Sequence, residues 1–305
     1  MVAAPKRNRF LDLLSAQLPG FAERRHPEVA VRIIVAGAGG QLGRELVEIL
    51  SADDVHAFDH RALDIADEAS VLSTIGQLRP NWIINAAAFN DVDGAEAAER
   101  AAFRANAEGP ANLARAAASI DAALIHVSTD YVFDGRKGSA YTEDDVPNPL
   151  SVYGRSKYEG ERRVLESKAR VCVLRTAWLY GRHGKNFVKA IRAAAGEGRP
   201  LKVVADQVGS PTAVADFAQA IARLMQTPAR GLFHVVNAGA CSREEFARAI
   251  VRGAVQVLPI TSAQAGRAAP RPENSSLISA RWSALGLRPL RPWQAALDAF
   301  LDGET

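Results

Sequence analysis

Val31-Arg32-Ile33-Ile34-Val35-Ala36-Gly37-Ala38-Gly39-Gly40-Gln41-Leu42-Gly43 is the stretch that decides the fold. Its first half is a short β-branched apolar run, and its second half is a glycine cluster that ends the run. Leu42, Leu46, Val47, Ile49 and Leu50 then recur at three and four residues, which predicts a helix. The same alternation extends outward. Val55-His56-Ala57-Phe58 predicts a second strand, residues 66–78 a helix, and Trp82-Ile83-Ile84-Asn85 a third strand. Residues 95–118 read as one long Ala-rich helix, interrupted near Gly109-Pro110. Strands follow at 123–128 and 171–175, with a helix at 153–168 between them. Near-continuous apolar strands alternating with helices predict an α/β fold, a doubly wound parallel sheet covered on both faces.

Beyond residue 180 the regularity loosens. Helices are expected at 187–196, 214–225 and 243–254, and short strands at 201–203 and 231–236. The Pro-rich run 265–276 reads as a loop. The expected organisation is an N-terminal extension over 1–30, a nucleotide-binding domain over 31–180 and a smaller lobe over 181–305, with the chain free to cross back to the sheet.

The 305 residues are 48% hydrophobic and 23% charged, which excludes a disordered chain or a collagen-like repeat. Aromatics, at 7%, are too few for a stacking surface to be the main business. A net charge of +3, from 37 basic and 34 acidic residues, is too thin to imply nucleic-acid or membrane binding. Cys172 and Cys241 show no CxxC spacing and read as incidental thiols of a reducing, cytoplasmic compartment. No apolar run reaches the roughly 18 residues a membrane span needs. Asp12, Gln17 and Pro19-Gly20 break up the apolar residues near the N-terminus, which argues against a secretory leader there.

Gly37, Gly40 and Gly43 form a GxxGxxG turn between the first strand and the first helix. One glycine makes the tight turn, one admits a pyrophosphate to the backbone, and one lets the helix lie close to the sheet. The helix N-terminus offers free N–H groups to phosphate. Asp59, closing the second strand, sits where an acid binds the adenosine ribose of NADH. Arg61, two residues on, suits the 2′-phosphate of NADPH instead, so both cofactors remain open.

Tyr153 and Lys157 are four residues apart and share one helix face. The ammonium is expected to lower the phenol pKa from roughly 10 toward working pH. Such a tyrosine can move the proton that accompanies hydride transfer. Thr129 closes the preceding strand, at the sheet edge where α/β proteins expose their chemistry. Its hydroxyl can meet both a substrate carbonyl and Tyr153.

These features in this order resemble the extended short-chain dehydrogenase/reductase superfamily, which implies a Rossmann-type sheet. Asn85-Ala86-Ala87-Ala88, Ser128-Thr129-Asp130-Tyr131-Val132-Phe133-Asp134-Gly135, Arg175-Thr176-Ala177-Trp178-Leu179-Tyr180-Gly181 and Asp206-Gln207-Val208-Gly209-Ser210-Pro211-Thr212 narrow it. With Arg271-Pro272-Glu273-Asn274-Ser275 they look like the dTDP-4-dehydrorhamnose reductase family, over about residues 31–300. The resemblance implies reduction of a 4-keto dTDP-sugar by NADPH or NADH. It implies Thr129, Tyr153 and Lys157 as the catalytic group, with Tyr153 as proton donor. It places Gly37, Gly40, Gln41, Leu42 and Gly43 at the pyrophosphate, Asp64 and Ile65 at the adenine, and Ala86, Ala87 and Ala88 beneath the cofactor. Asp130, Trp178, Asn186 and Arg271 would meet the sugar nucleotide, with Arg271 at its diphosphate. The C-terminal third would then be mainly the sugar-nucleotide lobe. The resemblance also leaves a homodimer open, while no metal-ligand spacing stands out.

The chain departs from that family at two positions: Gly94 where Lys is usual, and Pro270 where a second Arg is common. A dehydratase would need a second carboxylate after Asp130, and Tyr131 stands there. An epimerase, another nucleotide-sugar 4-ketoreductase and a non-catalytic subunit of the same fold remain as alternatives. The intact Thr129, Tyr153 and Lys157 argue against the last.

Overall fold

A computed structural model describes residues 30–303, so the expected N-terminal extension lies outside the described residues except for Ala30. Six parallel strands form the central sheet: β1 (Arg32–Ala36), β2 (Asp54–Phe58), β3 (Trp82–Asn85), β4 (Ala123–Thr129), β5 (Arg170–Thr176) and β6 (Gly231–His234). Their order is β2-β1-β3-β4-β5-β6, all parallel. The expected α/β doubly wound sheet is borne out. The chain runs outward in opposite directions from β1, so a crevice opens beyond the carboxyl ends of β1 and β3.

The apolar strands are explained by burial on both faces. Ile33 and Val35 point to one side, where Phe217, Ile221 and Leu224 of the helix Val214–Leu224 cover them with Leu42 and Leu46. Ile34 and Ala36 point to the other, against Val71, Ile75, Leu113 and Val164. This is the two-residue alternation of a strand between two helical layers. β2, at the edge, is only partly buried.

The Ala-rich stretch is not one helix. Helices Val92–Ala97 and Glu99–Phe103 are followed by a π-helical turn, Arg104–Glu108, and then by the helix Gly109–Ser119. The irregular turn falls at Asn106, ahead of the Gly109-Pro110 pair. The buried Asn106 amide donates to Phe89 O at 3.1 Å and to Ser156 Oγ at 3.0 Å, and accepts from Phe89 N at 2.8 Å. Side-chain bonding of this kind accounts for the widened turn. Pro110 then sits in the first turn of the next helix, where its missing N–H is harmless.

The later part of the chain serves two places. The helix Val214–Leu224 and β6 belong to the main sheet and its cover. The helices Phe187–Ala195, Arg243–Val251 and Trp293–Leu301 surround a second core of Tyr180, Val188, Phe246, Trp293 and Leu297. Beside it, Leu201–Val204 pairs in parallel with Val257–Ile260. The run expected as a loop over 265–276 is one from Gly266 on, Ala265 ending the helix Ser262–Ala265, and it is pinned where Asn274 bridges to Val208.

Candidate active site

Gly37 N and Ala38 N donate to Phe58 O at 2.8 and 2.9 Å, which folds the glycine turn over the end of β2. Gly37 has φ +82°, and a Cβ there would lie 2.5 Å from Ala87 N. A Cβ at Gly43 would lie 2.3 Å from Gly37 O. Gly40 is different: its φ is −77° and its Cβ would sit 3.3 Å from Gly37 O. The helix Gln41–Ile49 starts at Gly40 with no side-chain cap, so its leading N–H groups face the turn. Leu42 is buried in the core beneath, and Gln41 Oε1 is buried without a partner. A close-approach backbone and an uncapped helix start fit a dinucleotide pyrophosphate.

Asp59 Oδ1 accepts from Arg61 N and Ala62 N at 3.0 and 2.9 Å, so this carboxylate shapes the turn after β2. Both Asp59 and Arg61 are exposed. Asp64 accepts from Ala66 N and lies 3.7 Å from Arg104, while Ile65 is buried. Ala86 N bonds Ala36 O, and Ala87 N bonds Asn85 Oδ1; Ala88 follows, half-buried. Asn85 is buried and its Nδ2 lies 3.0 Å from His126 Nδ1. Burial first, and then the Lys157 charge, hold His126 well below its usual value, so the ring is neutral and Nδ1 accepts. His126 thus fixes the segment that begins with Asn85. Sequence reading missed it, because a histidine inside an apolar strand carries no signal beyond its polarity.

Ser151 caps the helix Val152–Leu165 by accepting from Gly154 N, and Glu96 accepts from Val152 N at 2.8 Å. These bonds place Tyr153 in the first turn and Lys157 one turn later. Burial raises the Tyr153 phenol, partly offset by a hydrogen bond with Thr129, while Asp130 and Tyr131 raise it further. The expected lowering by Lys157 is not found. The ammonium instead donates to Val127 O at 2.7 Å, and burial brings Lys157 itself down to about 8, with Glu161 acting in the opposite sense. The phenol is therefore protonated at neutral pH, as a proton donor must be.

Thr129 Oγ1 donates to Asp130 Oδ1 at 3.0 Å, and Ser275 Oγ donates to Asp130 Oδ2 at 2.5 Å. Burial pushes the Asp130 carboxyl up to about 6 against these two bonds. Tyr131 packs edge-on against Tyr153, with ring centroids 5.8 Å apart. Trp178 has a left-handed backbone, φ +47°, a strained conformation for a bulky residue. Gly209 makes room for it, since a Cβ there would lie 2.3 Å from the indole. On the indole lies the Arg243 guanidinium, 3.5 Å from the ring centroid. Burial draws the Arg243 guanidinium below its usual value, with Tyr131 and Asp130 acting in the opposite sense, and leaves it charged.

Two expected substrate contacts are otherwise engaged. Arg271 forms a bidentate pair with Asp93, at 2.9 and 2.8 Å, and donates to Ala269 O at 2.8 Å. The Arg271 bond holds Asp93 down to about 2. Asn186 caps the helix Phe187–Ala195 through Lys189 N and donates to Gly181 O. Arg243 is the cation that sequence reading passed over. Its only local signal is a helix start: Ser242 and Glu245 form a reciprocal capping box, with Arg243 first in the helix.

Cys172 and Cys241 are free and buried, and burial pushes their thiols up to about 11 and about 12. Among the described residues no three His, Cys, Asp or Glu side chains group as a metal site, and no helix is long and apolar enough to cross a membrane.

The family described as RmlD substrate binding domain matches residues 31–305. A dTDP-4-dehydrorhamnose reductase of Mycobacterium tuberculosis (strain ATCC 25618 / H37Rv) is 46% identical over 279 residues, covering 87% of this chain and 91% of that protein. A probable dTDP-4,6-dihydroxy-2-methyloxan-3-one 4-ketoreductase of Streptomyces antibioticus is 41% identical, covering 89% of this chain and 95% of that protein. The crystal structure of dTDP-4-dehydrorhamnose reductase from Bacillus anthracis strain Ames, in complex with NADP, is similar at a TM-score of 0.88. It is 40% identical and covers 91% of this chain and all of that one.

Proposed function

The chain belongs to the RmlD substrate binding domain family, and on that premise we propose that it is a dTDP-4-dehydrorhamnose reductase. It reduces the C4 keto group of dTDP-4-dehydro-L-rhamnose to give dTDP-L-rhamnose, with NADPH or NADH as reductant. Thr129, Tyr153 and Lys157, grouped at the carboxyl end of β4 and the helix packed on it, carry this reading. Gly37, Gly40, Gln41, Leu42 and Gly43 would hold the pyrophosphate, and Ala86 to Ala88 would line its other side. The reduced nicotinamide, when bound, supplies the hydride.

Tyr153 gives its phenolic proton to the C4 oxygen as that oxygen gains charge. Lys157, fixed by the Val127 carbonyl, would meet the nicotinamide ribose when the cofactor is bound. Thr129 donates a hydrogen bond to Asp130 and acts on the Tyr153 phenol from the end of β4. Asp130 and Trp178 face the sugar side of this group. The buried free thiols fit a cytoplasmic setting.

A second reading, reduction of a differently substituted 4-keto dTDP-sugar, is favoured by the 41% identity to the Streptomyces antibioticus protein. Incubation with NADPH or NADH and each 4-keto sugar nucleotide separates the two. Oxidation of the cofactor with formation of dTDP-L-rhamnose is the expected result. Turnover of only the other ketone moves the assignment to the second reading, and cofactor binding without turnover of either removes both.

A further inference from the structure

Arg243 and Arg271, from different parts of the chain, both act electrostatically on Tyr131, but their charges are in different situations. Arg271 is paired with both oxygens of Asp93, and Arg267 lies 3.8 Å from the same carboxylate. Arg243 has no carboxylate within ion-pair distance among the described residues. Its guanidinium lies 3.5 Å from the Trp178 ring centroid, and the groups acting on its charge beyond that ring are Tyr131 and Asp130. Asp130 already accepts hydrogen bonds from Thr129 and Ser275. A half-buried guanidinium without an anion, next to the catalytic group, is the form of a site prepared for one.

We propose that Arg243, and not Arg271, is the cation that binds the diphosphate of the sugar-nucleotide substrate. The proposal rests on the reading of the chain as a dTDP-sugar reductase. Trp178 is then a platform that fixes the plane of the guanidinium, and Gly209 leaves the space that platform needs.

The test is calorimetric titration of dTDP and of thymidine into the NADP-loaded protein, for the parent, Arg243→Gln and Arg243→Lys. A charge-assisted hydrogen bond to phosphate predicts that Arg243→Gln weakens dTDP about 10- to 100-fold, with thymidine and NADP affinities unchanged. Arg243→Lys, a charge without the planar fork, falls between. In turnover, Arg243→Gln raises KM for the sugar nucleotide while kcat stays within a few-fold. Parental dTDP affinity in Arg243→Gln overturns the proposal. So does equal weakening of dTDP and thymidine, which would make Arg243 a support for the Trp178 ring alone. A parent that binds dTDP but reduces no 4-keto dTDP-sugar defeats the reductase reading instead, so the two failures are told apart.

Discussion

Tyr153→Phe deletes one hydroxyl whose neighbours are all internal. It is expected to cut kcat by about 10²- to 10⁴-fold and to leave cofactor affinity unchanged, measured by single-turnover kinetics and NADPH titration. A parental rate would assign the proton to another group. Asp130 offers a second test, in which pH is the variable. Its carboxyl is buried and pushed up to about 6, while an unfolded aspartate titrates near 4. Between those values the folded state holds a proton that the unfolded state has lost. Stability from this group is therefore greatest in acid and falls as pH rises from about 4 to about 6. Asp130→Asn abolishes the titration, so the variant gains on the parent by roughly 2–3 kcal/mol between about pH 4 and about pH 7.5. Urea unfolding at the two pH values measures it, and a constant difference would contradict the assignment. At this scale the sequence was readable where a short motif carries its own geometry. Tyr153 and Lys157 share a helix face because they are four apart, and Thr129 ends a strand. Their electrostatics were not readable. Whether an ammonium faces a phenol or a backbone carbonyl depends on Val127, which belongs to another element. Arg243 was hidden for a similar reason, since the indole it lies over is far from it in the chain.

Among the elements, the glycine turn makes the sharpest prediction, because its three glycines are not equivalent. A methyl at Gly43 would strike the Gly37 carbonyl at 2.3 Å, whereas one at Gly40 would rest at 3.3 Å on an ordinary backbone. Gly43→Ala should therefore destabilise by about 1–3 kcal/mol and weaken cofactor binding. Gly40→Ala should cost the fold much less. Thermal unfolding of the two variants, with and without NADPH, ranks them, and equal losses would mean that the turn is looser than described. Element positions were legible wherever apolar periodicity was strong, as in β1, β3 and β4. The interruption of the Ala-rich helix was misplaced because its cause is a side chain. Asn106 bonds to Phe89 and Ser156, and neither partner is local to the helix.

At the level of the whole molecule, the chain does not divide into consecutive blocks. Phe217, Ile221 and Leu224 cover the same sheet face as Ile33, Val35, Ile84 and Ile125, and β6 completes the sheet beside β5. Residues 31–180 expressed alone would leave that face open. We expect no cooperative urea transition from such a fragment, in contrast to residues 31–305. A sharp transition would show that the first five strands suffice. Sequence reading left the chain free to cross back to the sheet but did not name the segments that do so, because sheet order depends on pairing between distant strands. The buried Arg175–Glu161 pair, 2.6 Å at its shortest, ties β5 to the helix that bears Tyr153 and Lys157. It links the frame to the chemistry without touching either ligand site.

The contact between Arg243 and Trp178 has one more consequence. An indole lying 3.5 Å beneath a cation emits light in the electric field of that cation. Any occupant that draws the guanidinium aside alters the colour and intensity of the emission. The protein thus carries its own optical gauge of occupancy, readable in a fluorimeter with no dye attached.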